Sequence, residues 1–472
     1  MKKFVFYTLA LAVLMMSVWG CKEDPLTGEE DPVIPHETLV TNNWIKESME
    51  LYYYWNDKLP TGIDYTKEAD PEAYFYKLVY KEKDKWSRIE SDYKKLEAEL
   101  NGEPVTMGYN PSFFLIANNK VVIAVKYVYP GSPAADAGLK RGDIILSIDN
   151  AQLDTSNYYD LYSGPAYSVQ LGRLEGNTLM PTGVSVSMTA RVTNTNPLIY
   201  HEVLDIDGHK IGYIVYVEFI AGEDDVLLTD IDNIFDEFKS AGISDLIVDV
   251  RYNPGGEIDA AVHLASGIAP FTVANNKDVL IKLTYNEGLE SYLKSSGHAE
   301  YLSNRFEPPS DTLTNLNMSR VYFLTTSGTA SASELVIVGL DPYMDVIRIG
   351  EPTYGKYAGA WVMPDDNEKW AIIPIVSKYS NATGYTDFVD GLPPDYEIDD
   401  DMFHAVPFGD KRDPMLAKAI ELATGKSVSA KSLKKTERIG YKVIVPQEMK
   451  MKSNLYLEGF AVEPEAVRDH AH

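Results

Sequence analysis

The stretch from residue 210 to residue 270 most narrows the folds open to this chain. It reads KIGYIVYVEFIAG, EDDVLLTDIDNIFDEFKSAG, ISDLIVDV, RYNPGG and EIDAAVHLASGIAP. A strand-like apolar run is followed by a helix with one apolar face, a buried strand, a Gly-rich turn and a second helix. The pattern continues with VYFLTT, SASELVIVGL and VIRIGEPTYGK, again strand, helix and strand. Such alternation predicts an α/β layer with a mixed or parallel sheet.

At 472 residues the chain exceeds what one hydrophobic core serves, so several domains are expected. Its 43 basic and 70 acidic residues leave a net charge of −27, which argues against a nucleic-acid partner. The N-terminus carries two lysines, an apolar run from Phe4 to Trp19, then Gly20 and Cys21, the only cysteine. The run is short for a membrane-spanning helix and has the layout of a secretory signal over residues 1–20. Val18-Trp19-Gly20-Cys21 resembles a bacterial lipobox, which implies lipidation at Cys21 and membrane attachment. With no other cysteine, the protein cannot rely on disulfides. Residues 21–41 are acidic and contain proline, as a solvated tether would. The acidic tract also resembles surface-export signals of Gram-negative lipoproteins, so an outer-membrane lipoprotein of the cell envelope is expected.

Residues 42–103 predict a small helical bundle. Ile45, Met49, Tyr52 and Tyr53 share one face, Asn43 caps the start and Pro60 ends the helix. PEAYFYKLVYK and a segment from about Lys83 to Leu100 give two more helices, and YYYW (52–55) belongs to their core. From Val105 the period changes to that of strands. SFFLIANNKVVIAVKYVY predicts two strands around Asn118-Asn119, and Ser132-Pro133 starts a short helix that Gly138 ends. GSPAADAGLKRGDIILSIDN resembles the PDZ domains of bacterial envelope proteases, which bind an extended peptide as an added strand. The nearest counterpart of their carboxylate-binding loop is MGYNPSFF with Gly108, from which Asn110-Pro111 departs. The domain is placed at 104–196.

TTSGTASASE (325–334) lies between a strand and a helix. Ser331 and Glu334 have the spacing of a capping box. The same position would hold a serine rigidly beside the unpaired amides of a helix start, although a hydroxyl nucleophile still needs a base. None of the eight histidines sits in a triad-like motif, and His263 is the best of them. Lys356 in GEPTYGKYAGAW is the stronger candidate. Gly355, Ala358, Gly359, Ala360 and Trp361 offer it a dry setting, and burial disfavours the ammonium. In RYNPGG, Gly255 and Gly256 let backbone amides approach a ligand closely, as an oxyanion hole requires.

Together GYIVYVEF, LIVDVRYNPGGEIDAAVHLA, TSGTASASELV, GEPTYGK and GLPPDYEI, with the PDZ-like segment before them, resemble the S41 peptidases, the carboxyl-terminal processing proteases. DKWSRIES in the N-terminal region adds to the likeness, which spans roughly residues 43–400. The resemblance implies a multidomain α+β protein. Its parts would be an N-terminal helical bundle, a β-rich PDZ domain and an α/β catalytic core of the S41/ClpP-crotonase-like type at 197–425. Residues 426–472 form a C-terminal extension, lysine-rich and then strand-like at YKVIVP and NLYLEGF, of no assigned role. The family further implies a Ser331–Lys356 dyad, an oxyanion hole from the amides of Ala332 and of Gly255 or Gly256, a protein or peptide substrate, and neither metal nor organic cofactor. Ser333 is the competing serine. Where many members carry a glutamine that orients the lysine, this chain has Ala360, and Thr353 is the nearby group that could substitute. That departure keeps a non-catalytic peptide-binding lipoprotein as the alternative. A carbohydrate- or nutrient-binding surface lipoprotein rests only on the export-like signal and the aromatic content.

Overall fold

The computed structural model describes residues 33–428 and 440–445. The signal-like segment, Cys21, most of the tether and the NLYLEGF stretch lie outside the described residues.

Helix α1 (His36–Tyr52) starts directly behind Pro35, six residues before the expected position, and buries Ile45, Met49 and Tyr52. It ends before Pro60 because the chain turns to bind the core: Tyr54 N–H donates to Ile375 O at 2.8 Å. Tyr53 is fully buried and its hydroxyl donates to Asp84, so the aromatic cluster is core as expected. Helix α2 (Pro71–Leu78) is capped by Asp70. The third helix is shorter than predicted. Residues Arg88–Glu90 form strand β1, and α3 (Tyr93–Leu100) begins only after Asp92 caps it. Strand β1 pairs antiparallel with Ala371–Ile373 far along the chain, a long-range bond that overrides local helix propensity. The N-terminal helices are thereby stitched to the α/β core.

Strands β2 (Tyr109–Ile116) and β3 (Lys120–Val128) meet at Asn118 and Asn119, both with positive φ, as asparagine tolerates. Helix α4 (Pro133–Asp136) has Pro133 first and Ser132 as its cap. Strand β4 (Ile144–Ile148), helix α5 (Tyr158–Tyr162) and strands β5 (Ala166–Glu175) and β6 (Thr178–Thr189) complete the unit. The antiparallel sheet runs β2, β3, β4, β5, β6.

The core follows as β7 (Leu198–Ile206), β8 (His209–Tyr216), α6 (Val226–Ala241), β9 (Asp245–Asp249), α7 (Ile258–Ile268), β10 (Val279–Tyr285) and β11 (Ser303–Arg305). Next come β12 (Arg320–Thr325), α8 (Ala332–Leu340), β13 (Asp345–Gly350), β14 (Ala358–Ala360), β15 (Ala371–Ile373) and β16 (Ile375–Asn381). The chain continues through β17 (Tyr396–Glu397) and α9 (Pro414–Thr424) to β18 (Lys442–Ile444). A mixed sheet runs β7, β8, β9, β12, β13, β17, with only β7–β8 antiparallel. Side chains alternate between its two faces. Ile214, Leu246, Val248, Val321 and Phe323 join the cluster under α6, α7 and α8. Tyr213, Val215, Ile247, Tyr322 and Leu324 join the one under α9, which also takes Phe114, Val122 and Tyr127 of the PDZ-like unit. The unbroken apolar runs Leu246–Val248 and Val321–Leu324 are the consequence of covering both faces. A second, antiparallel sheet runs β11, β10, β16, β14.

Candidate active site

Three parallel strands, β9, β12 and β13, deliver their C-terminal ends to one place, as binding sites of open α/β sheets require. After β9 comes Arg251–Gly256, after β12 Thr326–Ser331, and after β13 Glu351–Lys356. The first turn is held from below. The fully buried Arg251 guanidinium donates to Asp249 and to Asp413, and Asn253 Nδ2 donates to Tyr216 O.

Ser331 is the N-cap of α8, with φ 54° and ψ −113°. This is the mirror image of extended backbone, where an L side chain meets its own chain, and it costs roughly 1–3 kcal/mol. Two contacts hold the residue there. Ser331 N–H donates to Glu334 Oε2 at 2.8 Å, and Tyr379 Oη shares its proton between Ser331 O at 3.1 Å and Lys356 O at 2.8 Å. Glu334, at the third position of the helix, does far more than close a capping box. Its Oε1 accepts from the Thr353 hydroxyl and the Gly355 amide, and its Oε2 accepts from the Lys356 amide as well as from Ser331. The Thr353 hydroxyl itself accepts from Leu392 N–H, so its own proton is directed at Glu334. Burial pushes the Glu334 carboxyl up to about 7 while Thr353 and the three amides pull the other way. With four donors aimed at two oxygens, the ionised carboxylate is the form that satisfies them all.

Lys356 is completely buried, and Ala358, Ala360 and Trp361 beside it are buried too, the dry setting read from GKYAGAW. Thr353, expected as a possible support of the lysine, instead acts through Glu334, which anchors the lysine's backbone. Ser333, the competing serine, is committed: its hydroxyl donates to Asn253 O at 3.0 Å and ties α8 to the NPGG turn.

The two glycines of that turn differ. A Cβ on Gly255 would stand 2.8 Å from Ala332 N and from Ser331 Cβ, so only glycine lets the turn lie against the serine. Its own amide, however, donates to Asn253 Oδ1 at 2.8 Å. Gly256 faces Phe219 in a parallel bridge made by Gly255 O and Glu257 N, so its amide points to the opposite side. Ala332 is the first residue of α8, where helix amides have no partner within the helix. His263 is elsewhere engaged: Nε2 lies 3.1 Å from Asp232 and Nδ1 3.7 Å from Glu307. Burial pushes its pKa down, but the two carboxylates outweigh that and lift it to about 9, so it stays charged at neutral pH.

Above the three turns lies a cavity of 590 Å³. Pro254, Gly328 and Ala330 form one wall, and Ser112, Phe113 and Ile444 form another. The PDZ-like unit is wired to the first turn through Arg141. Its Nη1 donates to the Tyr252 hydroxyl at 2.6 Å, and that hydroxyl donates to Asp400. Tyr379 and Arg141 escaped the sequence reading, and Glu334 was read there only as a capping partner. The one available signal was Glu334, a lone charge in a helix otherwise apolar on all sides, which demands buried partners.

Comparison with known proteins agrees with this architecture. Residues 210–398 match the sequence model of peptidase family S41, residues 41–88 that of the peptidase S41 N-terminal domain, and residues 124–169 that of a PDZ domain. A carboxyl-terminal-processing protease of Picosynechococcus sp. is 23% identical over 428 residues, covering 88% of this chain and 94% of its own. Another from Synechocystis sp. is 23% identical over 333 residues, 69% of each chain. The crystal structure of a putative S41 protease from Bacteroides fragilis superposes with a TM-score of 0.69 at 28% identity, over 81% of this chain and 97% of that one. With a PDZ domain set between an S41 N-terminal domain and the α/β core that carries Ser331 and Lys356, the chain belongs to peptidase family S41.

Proposed function

We propose that the protein is an exported, lipid-anchored serine endopeptidase that cleaves extended peptide segments with a Ser331–Lys356 dyad. The observation that carries this reading is the shared anchoring of a strained serine and a fully buried lysine on Glu334. Ser331 Oγ attacks the scissile carbonyl, and its proton passes to Lys356 Nζ. The oxyanion is received by the Ala332 and Gly256 amides, each donor worth about 3 kcal/mol in the transition state. As the tetrahedral adduct collapses, Lys356 returns the proton to the leaving amine. Water then attacks the acyl carbon as Lys356 accepts its proton, and Lys356 returns that proton to Ser331 Oγ as the acyl group leaves as the new carboxyl terminus.

The cavity between the PDZ domain and the three turns suits a polypeptide held as an added strand on one side and presented to the serine on the other. The relatives' name, carboxyl-terminal processing, extends here to substrates that offer an unstructured C-terminal stretch. Export and anchoring at Cys21 to the outer membrane of a Gram-negative envelope rest on the signal-like N-terminus and its lone cysteine. The direct check is cleavage of an unfolded protein by the wild type and by Ser331→Ala and Lys356→Ala. Each substitution is expected to abolish cleavage with the fold intact by circular dichroism, and near wild-type turnover in Lys356→Ala would overturn the dyad.

A further inference from the structure

Strand β18 belongs to the C-terminal extension, yet it sits on the PDZ domain. It pairs antiparallel with the outer edge of β2, with Lys442 opposite Leu115, Val443 opposite Phe114 and Ile444 opposite Phe113. Because β2 runs away from the Gly108 loop, β18 runs towards it, which is the direction of a peptide added to a PDZ domain. One side chain on each face of the sheet anchors it. Ile444 packs on the PDZ core, and the Tyr441 ring meets Phe114 at 4.8 Å and Phe403 at 5.2 Å. Val443 and Val445 point to solvent, about half exposed. The segment also lines the cavity whose far wall is Pro254 and Ala330, neighbours of Gly255 and Ser331. Since the sequence continues past Val445, the segment is held by strand pairing and side-chain pockets and not by a terminal carboxylate.

We propose that residues 441–445 are a built-in ligand of the PDZ strand edge, which an extended apolar peptide must displace before it can reach Ser331. The inference rests on the peptidase reading for its consequence, though not for the binding itself. A bridge of three residue pairs with two anchors is strong enough to occupy the edge as an intramolecular strand and short enough to be displaced. An extended strand with an aromatic residue and, three positions later, a β-branched one, the spacing of Tyr441 and Ile444, is the ligand chemistry that fits. The segment acts as a competitive brake: substrates that match the pattern release it, and others find the edge taken.

The test uses the full-length chain in a Ser331→Ala background, so that binding is read without turnover. A fluorescein-labelled peptide of residues 440–447, GYKVIVPQ, is titrated against this protein and against the same protein carrying Tyr441→Ser and Ile444→Asp. If the edge is about nine-tenths self-occupied, freeing it lowers the apparent Kd about tenfold. Equal affinity for the two proteins would overturn the proposal. A second variant restores Ser331 and combines Cys21→Ser, Leu115→Cys and Lys442→Cys, a cross-strand pair close enough for a disulfide. Oxidation is expected to slow cleavage of unfolded casein several-fold and dithiothreitol to restore it, whereas oxidised protein that cleaves as fast as reduced would contradict the brake. Tighter peptide binding without casein cleavage by any form leaves the built-in ligand standing and counts against the peptidase reading instead.

Discussion

Ser331 and Lys356 donate their backbone amides to the same atom, Glu334 Oε2, each at 2.8 Å. The start of α8 and the turn after β13 are thus within two hydrogen-bond lengths of each other, fixed by a carboxylate that solvent does not reach. Tyr379 fastens the same two residues through their carbonyls. Ala360, where the sequence resemblance led to the expectation of an orienting glutamine, therefore sits in a site where Ser331 and Lys356 are aligned by their backbones.

Replacing Glu334 by glutamine tests that alignment. The amide cannot accept at its nitrogen, so two of the four donors lose their partner and face an N–H₂ group. Misplacement of about 1 Å costs on the order of 10²-fold in rate. Glu334→Gln is expected to lower kcat by that order with KM little changed. An unaltered kcat would show that the carboxylate does not position the pair.

The strain at Ser331 has a measurable sign. Glycine adopts φ 54° with ψ −113° readily, whereas alanine keeps the steric conflict of serine. Ser331→Gly should therefore be more stable than Ser331→Ala, by roughly 1 kcal/mol, with both inactive. Thermal melts of the two variants decide it. The opposite order would mean that the backbone there is unstrained.

Acid–base linkage at His263 gives a pH dependence unrelated to catalysis. Asp232 and Glu307 lift its folded-state pKa to about 9, above the usual value of 6.5. The folded protein therefore holds a proton that the unfolded chain releases earlier. The resulting stability is fully present below pH 6.5 and is lost as pH rises through 9. Roughly 2 kcal/mol is at stake for a pair this buried. Tm should fall across that window in the wild type and fall less in His263→Gln. Parallel profiles would contradict the assignment.

Much of this was legible in local sequence. The PDZ hairpin, the Ser132-Pro133 helix start and the α/β alternation are all set by turn residues and apolar period, which act over a few positions. Ser331 as the cap of α8 was legible for the same reason. What escaped depends on distant partners. Residues 88–90 read as helix because β15, which makes them a strand, lies far along the chain. Glu334 read as a capping partner, since its bonds to Thr353, Gly355 and Lys356 require β12 and β13 to be neighbours. Gly255 and Gly256 were indistinguishable until Asn253 was seen to occupy the amide of the first. The strand β18 was visible as YKVIVP, but nothing in those letters says that its partner is the edge of β2.

The central claim is that Lys356 activates Ser331, and the most direct measurement is the rate at which a fluorophosphonate labels the serine. Wild-type protein should be labelled at Ser331 alone, with no labelling in Ser331→Ala. Lys356→Met keeps the length and burial of the side chain while removing the base, and should slow labelling by about 10³-fold, in the range of general-base contributions. Labelling of Lys356→Met at the wild-type rate, or of a residue other than Ser331, would contradict the account.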